Sequence, residues 1–143
     1  MTKVSFHFNV AHRVGYACRL LRKATRQNAR VTVTGPGAAL QELDRALWTF
    51  DATEFLPHVM VTPGQALAER LRATPLCLVE DLAGALHHDV LLNLGAEPPQ
   101  GFESFARLVE IVSTDESDRA TARARWKHYA ARGYSIERHE VEG

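Results

Sequence analysis

The chain has 143 residues, 45% of them apolar and 24% charged, a composition typical of a globular protein of about one domain. Lys plus Arg and Asp plus Glu each total 17, and a formal net charge of zero excludes a bulk electrostatic grip on nucleic acid. The sequence has neither a signal-peptide pattern nor an apolar segment long enough to span a bilayer, so we expect a cytoplasmic protein that does not bind membranes.

Strands and helices alternate from the start of the chain. Apolar side chains alternate with polar ones over residues 3–8, which predicts a first strand, and residues 13–28 carry apolar side chains at helical spacing. A short β-branched strand over residues 30–34 ends at the turn Gly35-Pro36-Gly37. A second helix follows, whose predicted inner stripe is Leu40, Leu43 and Leu47.

The second half of the chain continues this alternation. Residues 75–79 and 89–94 are continuous apolar segments, which are typical of strands covered on both faces of a parallel sheet. Residues 102–105 predict a brief helix and residues 108–112 a further strand.

A long helix is predicted over residues 115–132. Acidic side chains open it, and Gly133 stands where a left-handed cap would end it. Residues 134–138 predict a last strand at a sheet edge, because one set of its alternating positions is charged. These elements predict an α/β fold formed by residues 1–143 as a single domain, a three-layer sandwich with a largely parallel central sheet, Rossmann-like, lacking a P-loop.

The Gly35-Pro36-Gly37 turn is where such a fold could bind a nucleotide. Leu40 replaces the third glycine of a dinucleotide fingerprint, Pro36 lacks a backbone donor, and no Gly-Lys-Ser/Thr follows. The acids Glu80-Asp81 follow another strand end, where ligands gather in α/β sheets. A nucleotide-binding α/β enzyme that uses this turn therefore remains the alternative hypothesis.

Signals for metal binding or covalent catalysis are weak. His87 and His88 are adjacent, would point to opposite sides of a strand, and lack further ligands, so we interpret them as a surface turn. Cys18 and Cys77 match no zinc spacing and are expected as buried, reduced thiols. We predict no catalytic residues, no metal and no cofactor.

A basic row with one aromatic side chain marks the last helix. Arg119, Arg123 and Lys127 recur every four residues, and Trp126 lies three positions after Arg123. One interpretation is a solvated helix face. The other is a binding site for an acidic peptide with an apolar end, which suits the row better than a nucleic acid strand does.

A second unusual feature is the aromatic segment that follows the second helix. Trp48, Phe50 and Phe55 lie close together there and either belong to the core or anchor a partner protein.

Four segments together resemble the DNA polymerase III chi subunit family over nearly the whole chain. They are L-W-T-F-D-A-T-E-F-L-P-H at 47–58, D-V-L-L-N-L at 89–94, L-V-E-I-V-S at 108–113 and R-A-R-W-K-H-Y-A-A-R-G-Y at 123–134. The resemblance implies a non-catalytic adaptor in the clamp-loader complex, which holds the acidic C-terminal tail of single-stranded DNA-binding protein.

The resemblance also implies residue roles. The tail site of the family matches Val112, Arg119, Arg123, Trp126 and Lys127 in this sequence. The surface for a second partner, the psi subunit or a helicase-type protein, corresponds to Trp48 and Phe55.

Direct binding of single-stranded DNA, through the arginine-rich segment 13–30, is disfavoured by the zero net charge.

Overall fold

The computed structural model describes residues 1–50, 56–61 and 71–141. Its strands are β1 (Lys3–Val10), β2 (Val31–Thr34), β3 (His58–Val61), β4 (Leu76–Val79), β5 (Val90–Asn93), β6 (Arg107–Ser113) and β7 (Ile136–Glu140). Its α helices are α1 (Arg13–Arg26), α2 (Gly37–Thr49) and α3 (Glu116–Ala131), and short 3-10 helices lie at Leu82–Gly84 and Phe102–Ser104.

The strands form one open sheet in the order β3-β4-β2-β5-β6-β1-β7. Every neighbouring pair is parallel, so the predicted α/β fold with a largely parallel sheet is confirmed. The last strand, β7, pairs with β1 at one edge of the sheet, as its charged positions predicted.

Helices cover both faces of the sheet. Leu76 and Leu78 of β4 pack with α1 and α2, whereas Cys77 and Val79 of the same strand pack with the residues under α3. Strands that are covered on both sides need apolar side chains at every position, which is why β4 is a continuous apolar segment. Each fully buried aliphatic side chain stabilises the fold by about 1.5–3 kcal/mol.

Both ends of α3 follow from the sequence. Before the helix, the Asp115 carboxylate accepts a hydrogen bond from the backbone N–H of Asp118, and Glu116 and Asp118 place further negative charge at the positive end of the helix dipole. After the helix, Gly133 has a φ of 79°, the left-handed conformation that glycine adopts without strain. The predicted boundaries of this helix are therefore confirmed.

Three sequence-based expectations differ from the structure. Strand β3 was not predicted, and β7 begins two residues later than expected, at Ile136. His87 is buried rather than exposed in a surface turn, and the Thr32 hydroxyl of β2 donates a hydrogen bond to its backbone oxygen at 3.2 Å. Burial lowers the pKa of the His87 imidazole, so the ring is held neutral.

The expected state of the cysteines is confirmed, since Cys18 and Cys77 are both free and buried. Among the residues described, no helix is long and apolar enough to cross a membrane.

Candidate functional site

The last helix, α3, presents three different faces. Ala122, Arg125 and Tyr129 are buried against the sheet, while Arg119, Arg123 and Lys127 are exposed. Trp126 is half-buried and lies at the border between the buried and the basic face. The aromatic ring therefore lies between the buried core and the cationic surface.

A buried charge network fixes the position of α3 on the sheet. Arg125 Nε lies 3.0 Å from Glu110 Oε1 of β6, and the two side chains are 1% and 0% exposed. The Tyr129 hydroxyl donates to Glu110 Oε2 at 2.6 Å, and the Asn93 amide donates to the same carboxylate at 3.1 Å. The helix is thus anchored by an ion pair as well as by apolar packing.

Burial perturbs the acids of this network. Desolvation raises the pKa of the Glu110 carboxyl, and the Arg125 charge opposes that rise together with the hydrogen bonds from Tyr129 and Asn93. Desolvation and the adjacent Glu110 carboxylate raise the pKa of Tyr129, so its hydroxyl stays protonated and keeps donating. The network is enclosed in the core and is a means of support, not a reactive site.

A cavity of about 340 Å³ opens between α3 and the strands β1 and β7. It is lined by Phe8, Val112, Arg119, Ala122, Arg123, Trp126, Lys127 and Arg138. The five residues that the sequence singled out on and beside α3 are all among them. One of these five is Val112, which comes from β6 and forms part of the buried floor of the cavity.

The aromatic floor of the cavity is formed by Phe8 and Trp126, and the fully buried Phe6 packs against both rings. The ring of Trp126 packs at 5.0 Å from that of Phe6 and at 6.0 Å from that of Phe8, as distances between ring centres. Phe6 and Phe8 stack at 5.7 Å along β1. A planar apolar group that enters the cavity therefore meets aromatic faces and leaves water behind.

The sequence did not indicate three of the lining residues: Phe8, Ala122 and Arg138. Alternation along β1 placed Phe8 on the same face as Val4 and Phe6, but not beside α3. Arg138 comes from β7, and its guanidinium carbon lies 4.9 Å from the ring centre of Phe8. The cavity thus has a cation on its strand wall in addition to the three on the helix.

One acid of the chain already contacts the basic row. Glu116 Oε1 lies 3.0 Å from Arg123 Nη2, and Glu116 Oε2 lies 4.0 Å from Arg119 Nη1. The hydrogen bond and charge of Arg123 lower the pKa of the Glu116 carboxyl. In the part of the chain that the structure describes, Lys127 makes no ion pair.

The second predicted surface is described only in part. Trp48, on the last turn of α2, is 58% exposed, and its ring stands edge-on to that of His58 at 5.0 Å. His58 is in turn held by Asp44 Oδ1 at 2.9 Å and by the backbone oxygen of Leu56 at 2.7 Å. Phe55, the other residue predicted here, lies outside the described residues.

The alternative nucleotide site does not have the geometry to bind phosphate. A polar depression of about 580 Å³ lies at the carboxyl ends of β2, β4 and β5, beside Gly35, Glu80, Asp81 and Glu97. A side chain at Gly37 would collide with Glu80 Oε1, so a carboxylate already lies at the first residue of α2. Negative charge at that helix end repels a phosphate group.

Metal binding finds no support among the described residues, where no group of three or more possible ligands converges. Asp81 instead caps the short 3-10 helix that follows it, since its carboxylate accepts a hydrogen bond from the backbone N–H of Ala83 at 2.9 Å.

Comparisons with known proteins match almost the full chain. The family model described as "DNA polymerase III chi subunit, HolC" matches residues 1–137. The DNA polymerase III subunit chi of Pseudomonas aeruginosa is 32% identical over 146 aligned residues, which cover 99% of this chain and 98% of that protein. The DNA polymerase III subunit chi of Haemophilus influenzae is 25% identical over 126 residues, which cover 87% and 85% of the two chains.

Proposed function

This chain belongs to the DNA polymerase III chi subunit family, and from that premise we propose that its groove beside α3 binds the acidic C-terminal tail of single-stranded DNA-binding protein. One observation carries the proposal: an aromatic-floored cavity of about 340 Å³ is bordered by four cationic side chains in a protein of zero net charge. The protein then acts as a non-catalytic adaptor within the clamp-loader complex.

The chemistry of the groove suits a peptide with acidic residues and an aromatic end. The apolar floor gains free energy when it removes an aromatic ring from water, at about 25 cal/mol for each Å² of apolar surface. The basic row pairs with carboxylates that precede or follow the ring. A ligand that has only the aromatic ring, or only the carboxylates, would use half of the site.

The residues divide into two roles. Val112 and the faces of Arg123 and Trp126 form the pocket for the terminal phenylalanine, whereas Arg119, Arg123 and Lys127 pair with the carboxylates of the tail. Guanidinium groups take part in both roles, since their planar faces pack on rings while their edges donate hydrogen bonds. The Trp126 ring offers a large apolar face and no hydroxyl.

Single-stranded DNA suits the groove less well than a peptide does. Strand binding without sequence preference uses a long basic groove and several stacking platforms in succession. Here the cations surround one compact cavity, and Glu116 stands among them.

A second partner is proposed at the surface around Trp48, either the psi subunit or a helicase-type protein. A tryptophan that is 58% exposed on a folded surface is the kind of side chain that anchors protein interfaces. Phe55 is proposed to belong to the same surface.

Titration with a fluorescent peptide that ends in Asp-Asp-Ile-Pro-Phe tests the tail site. We expect saturable binding that weakens between low and high salt, because the charge pairs at the rim are exposed and screened. Lys127→Ala should weaken binding by about three- to fivefold, whereas Lys3→Ala, an exposed lysine at the opposite end of β1, should not. Absence of saturable binding to the unsubstituted protein would refute the proposal.

A thermal-shift experiment separates the adaptor from the nucleotide-binding alternative. A ligand that binds only the folded state raises the melting temperature. We expect a rise with the tail peptide and none with ATP or NAD in the presence of magnesium. The opposite result would favour the alternative enzyme hypothesis.

A further inference from the structure

A cavity of about 350 Å³ lies on the face of the sheet opposite α3, away from the groove already described. Helix α1 runs from β1 to β2 across β6 and β5, which separate those two strands in the sheet. Strand β7 extends beyond the helix, and its side chains Glu137 and His139 are 55% and 53% exposed on this face. The side of α1 and this open part of the sheet together form a trough.

The trough has an apolar floor and a polar rim. Buried and half-buried aliphatic side chains form the floor: Leu20, Leu21, Val31, Val90, Leu92 and Val109. Polar and cationic side chains border it, among them Ser5, His7, Lys23, Gln27 and Arg107. The half-buried part of the floor gains about 25 cal/mol for each Å² of apolar surface that a partner removes from water.

Five adjacent strands contribute to the trough. Strands β2, β5, β6, β1 and β7 follow one another in the sheet, and each supplies at least one lining residue. Neighbouring strands lie about 4.8 Å apart, so a trough that crosses five of them is about 19 Å long. An extended chain spans about 3.3 Å for each residue, and a segment of about six residues matches that length. The shape therefore suits a peptide segment better than a compact small molecule.

Two cations of the trough lack an acidic partner in the part of the chain that the structure describes. Lys23 on α1 and Arg107 at the start of β6 are exposed, and neither makes an ion pair with a described residue. Glu137 is the one acid among the described lining residues, and its carboxylate lies 3.7 Å from the His139 imidazole. The trough therefore carries a positive charge that is not neutralised.

The imidazole of His7 reports the same potential. It is faced by Tyr16 and Lys23 from α1 and by His139 from β7. Burial, and then the charges of His139 and Lys23, lower the pKa of His7 to about 4. Surroundings that oppose a further positive charge on one group attract a negative charge on a ligand.

We infer that the trough beside α1 binds an acidic, extended peptide segment of a partner protein, with carboxylates that pair with Lys23 and Arg107. Successive side chains of an extended chain point to opposite sides. A segment in which apolar and acidic residues alternate can therefore place one row on the floor and the other at the level of the rim. The trough shares no lining residue with the groove beside α3, so the inference does not depend on tail binding.

Two blocked peptides of opposite charge test this assignment. The probe is fluorescent and has the sequence Asp-Leu-Asp-Leu-Asp-Leu-Asp with a C-terminal amide, and its counterpart has lysine in place of every aspartate. Both are titrated in the presence of excess peptide ending in Asp-Asp-Ile-Pro-Phe, which competes for the groove beside α3. Lys23→Met and Arg107→Met keep an apolar stem and remove one charge each, and Lys127→Met is the matched control in the other groove.

We expect saturable binding of the acidic probe and none of the lysine peptide. Lys23→Met and Arg107→Met should each weaken binding of the acidic probe about three- to fivefold, because each removes a charge pair at an exposed rim. Lys127→Met should leave that binding unchanged. Lys23→Met should in turn leave binding of the tail peptide unchanged, which a general loss of stability would not do.

Several outcomes overturn the inference. One is that the acidic probe does not bind saturably, and another is that the lysine peptide binds equally well, since the trough would then not select negative charge. Loss of binding in Lys127→Met but not in Lys23→Met would place the probe in the groove beside α3. Sedimentation that shows a dimer dissociated by Lys23→Met would make a second copy of this chain the occupant. Failure of the tail peptide alone to bind would overturn the proposed function and leave this inference intact.

Discussion

Glu116 Oε1 lies 3.0 Å from Nη2 of Arg123. A carboxylate of the chain itself is therefore paired with an arginine that is proposed to bind the tail. The same side chain reaches towards Arg119 at 4.0 Å. An acidic ligand must therefore displace Glu116 or share the arginines with it. Both choices reduce the affinity of the site.

Removal of this internal acid should strengthen peptide binding. We expect Glu116→Gln to bind the tail peptide about two- to fourfold more tightly at low salt, because the substitution removes a competing charge from Arg123. The measurement is the same fluorescence titration, with Glu103→Gln as the control at an exposed acid in the short 3-10 helix. Weaker binding by Glu116→Gln would mean that the acid orients the arginines for the ligand.

Trp126 should contribute through its ring. Trp126→Ala is expected to weaken binding of the tail peptide by about tenfold or more, since buried aromatic anchors dominate contacts of this kind. Against a peptide in which alanine replaces the terminal phenylalanine, the same substitution should have little further effect. Equal losses with both peptides would show that Trp126 does not contact the terminal ring.

Much of the fold could be predicted from the sequence, because its strands are apolar on both faces. β4 and β5 read as continuous apolar segments, and only a sheet covered on two sides requires this. Strand β3 could not be predicted in the same way. It has four residues that are partly exposed, and its pairing with β4 defines it as a strand.

The candidate site could be predicted on the helix, and at Val112 of β6 through the family resemblance, but not on strands β1 and β7. Spacing of four residues is enough to align Arg119, Arg123 and Lys127. Arg138 and Phe8 join them because β7 pairs with β1 beneath α3, a long-range relationship that no local pattern contains.

The buried pair Glu110 and Arg125 leaves a signal in the sequence. Glu110 is an acid in the middle of an apolar strand, and Arg125 falls at the inner stripe with Ala122 and Tyr129. A charge at an inward position of each element indicates that the two face each other across the core.

This pair should be costly to break. Arg125→Met or Glu110→Gln is each expected to lower the free energy of unfolding by about 3–5 kcal/mol, because each leaves a buried charge or donor without its partner. The double variant should lose less than the sum of the two single losses. Urea unfolding of the three variants measures these terms, and simple additivity would mean that the two side chains are not coupled.

Stability should fall in acid through His7. Burial, and then the neighbouring charges of His139 and Lys23, lower the pKa of the His7 imidazole from 6.5 to about 4, and its Nδ1 hydrogen bonds to the Tyr16 hydroxyl. Between these two values the unfolded chain binds more protons than the folded one does. The folded state therefore loses stability as pH falls from 6.5 to about 4 and gains none from this group above 6.5.

The amplitude is limited because the ring is only half-buried. After allowance for solvent screening we expect a loss of about 1–2 kcal/mol. Urea unfolding at several pH values between 7 and 4 measures it, and His7→Gln should have a shallower pH dependence than the unsubstituted protein. Parallel pH curves for the two proteins would contradict the role assigned to His7.

Trp48 should separate the two proposed surfaces. Its side chain is 58% exposed and contacts the ring of His58, so we expect Trp48→Ala to change the free energy of unfolding by less than about 1 kcal/mol. Affinity for the tail peptide should be unchanged, because the residue is at the end of α2 and does not line the groove beside α3. Co-purification of Trp48→Ala with the psi subunit should be lost. Trp126→Ala should still co-purify with psi and should bind the tail peptide more weakly. If Trp48→Ala retained psi at full level, the second surface would have to lie elsewhere on the chain.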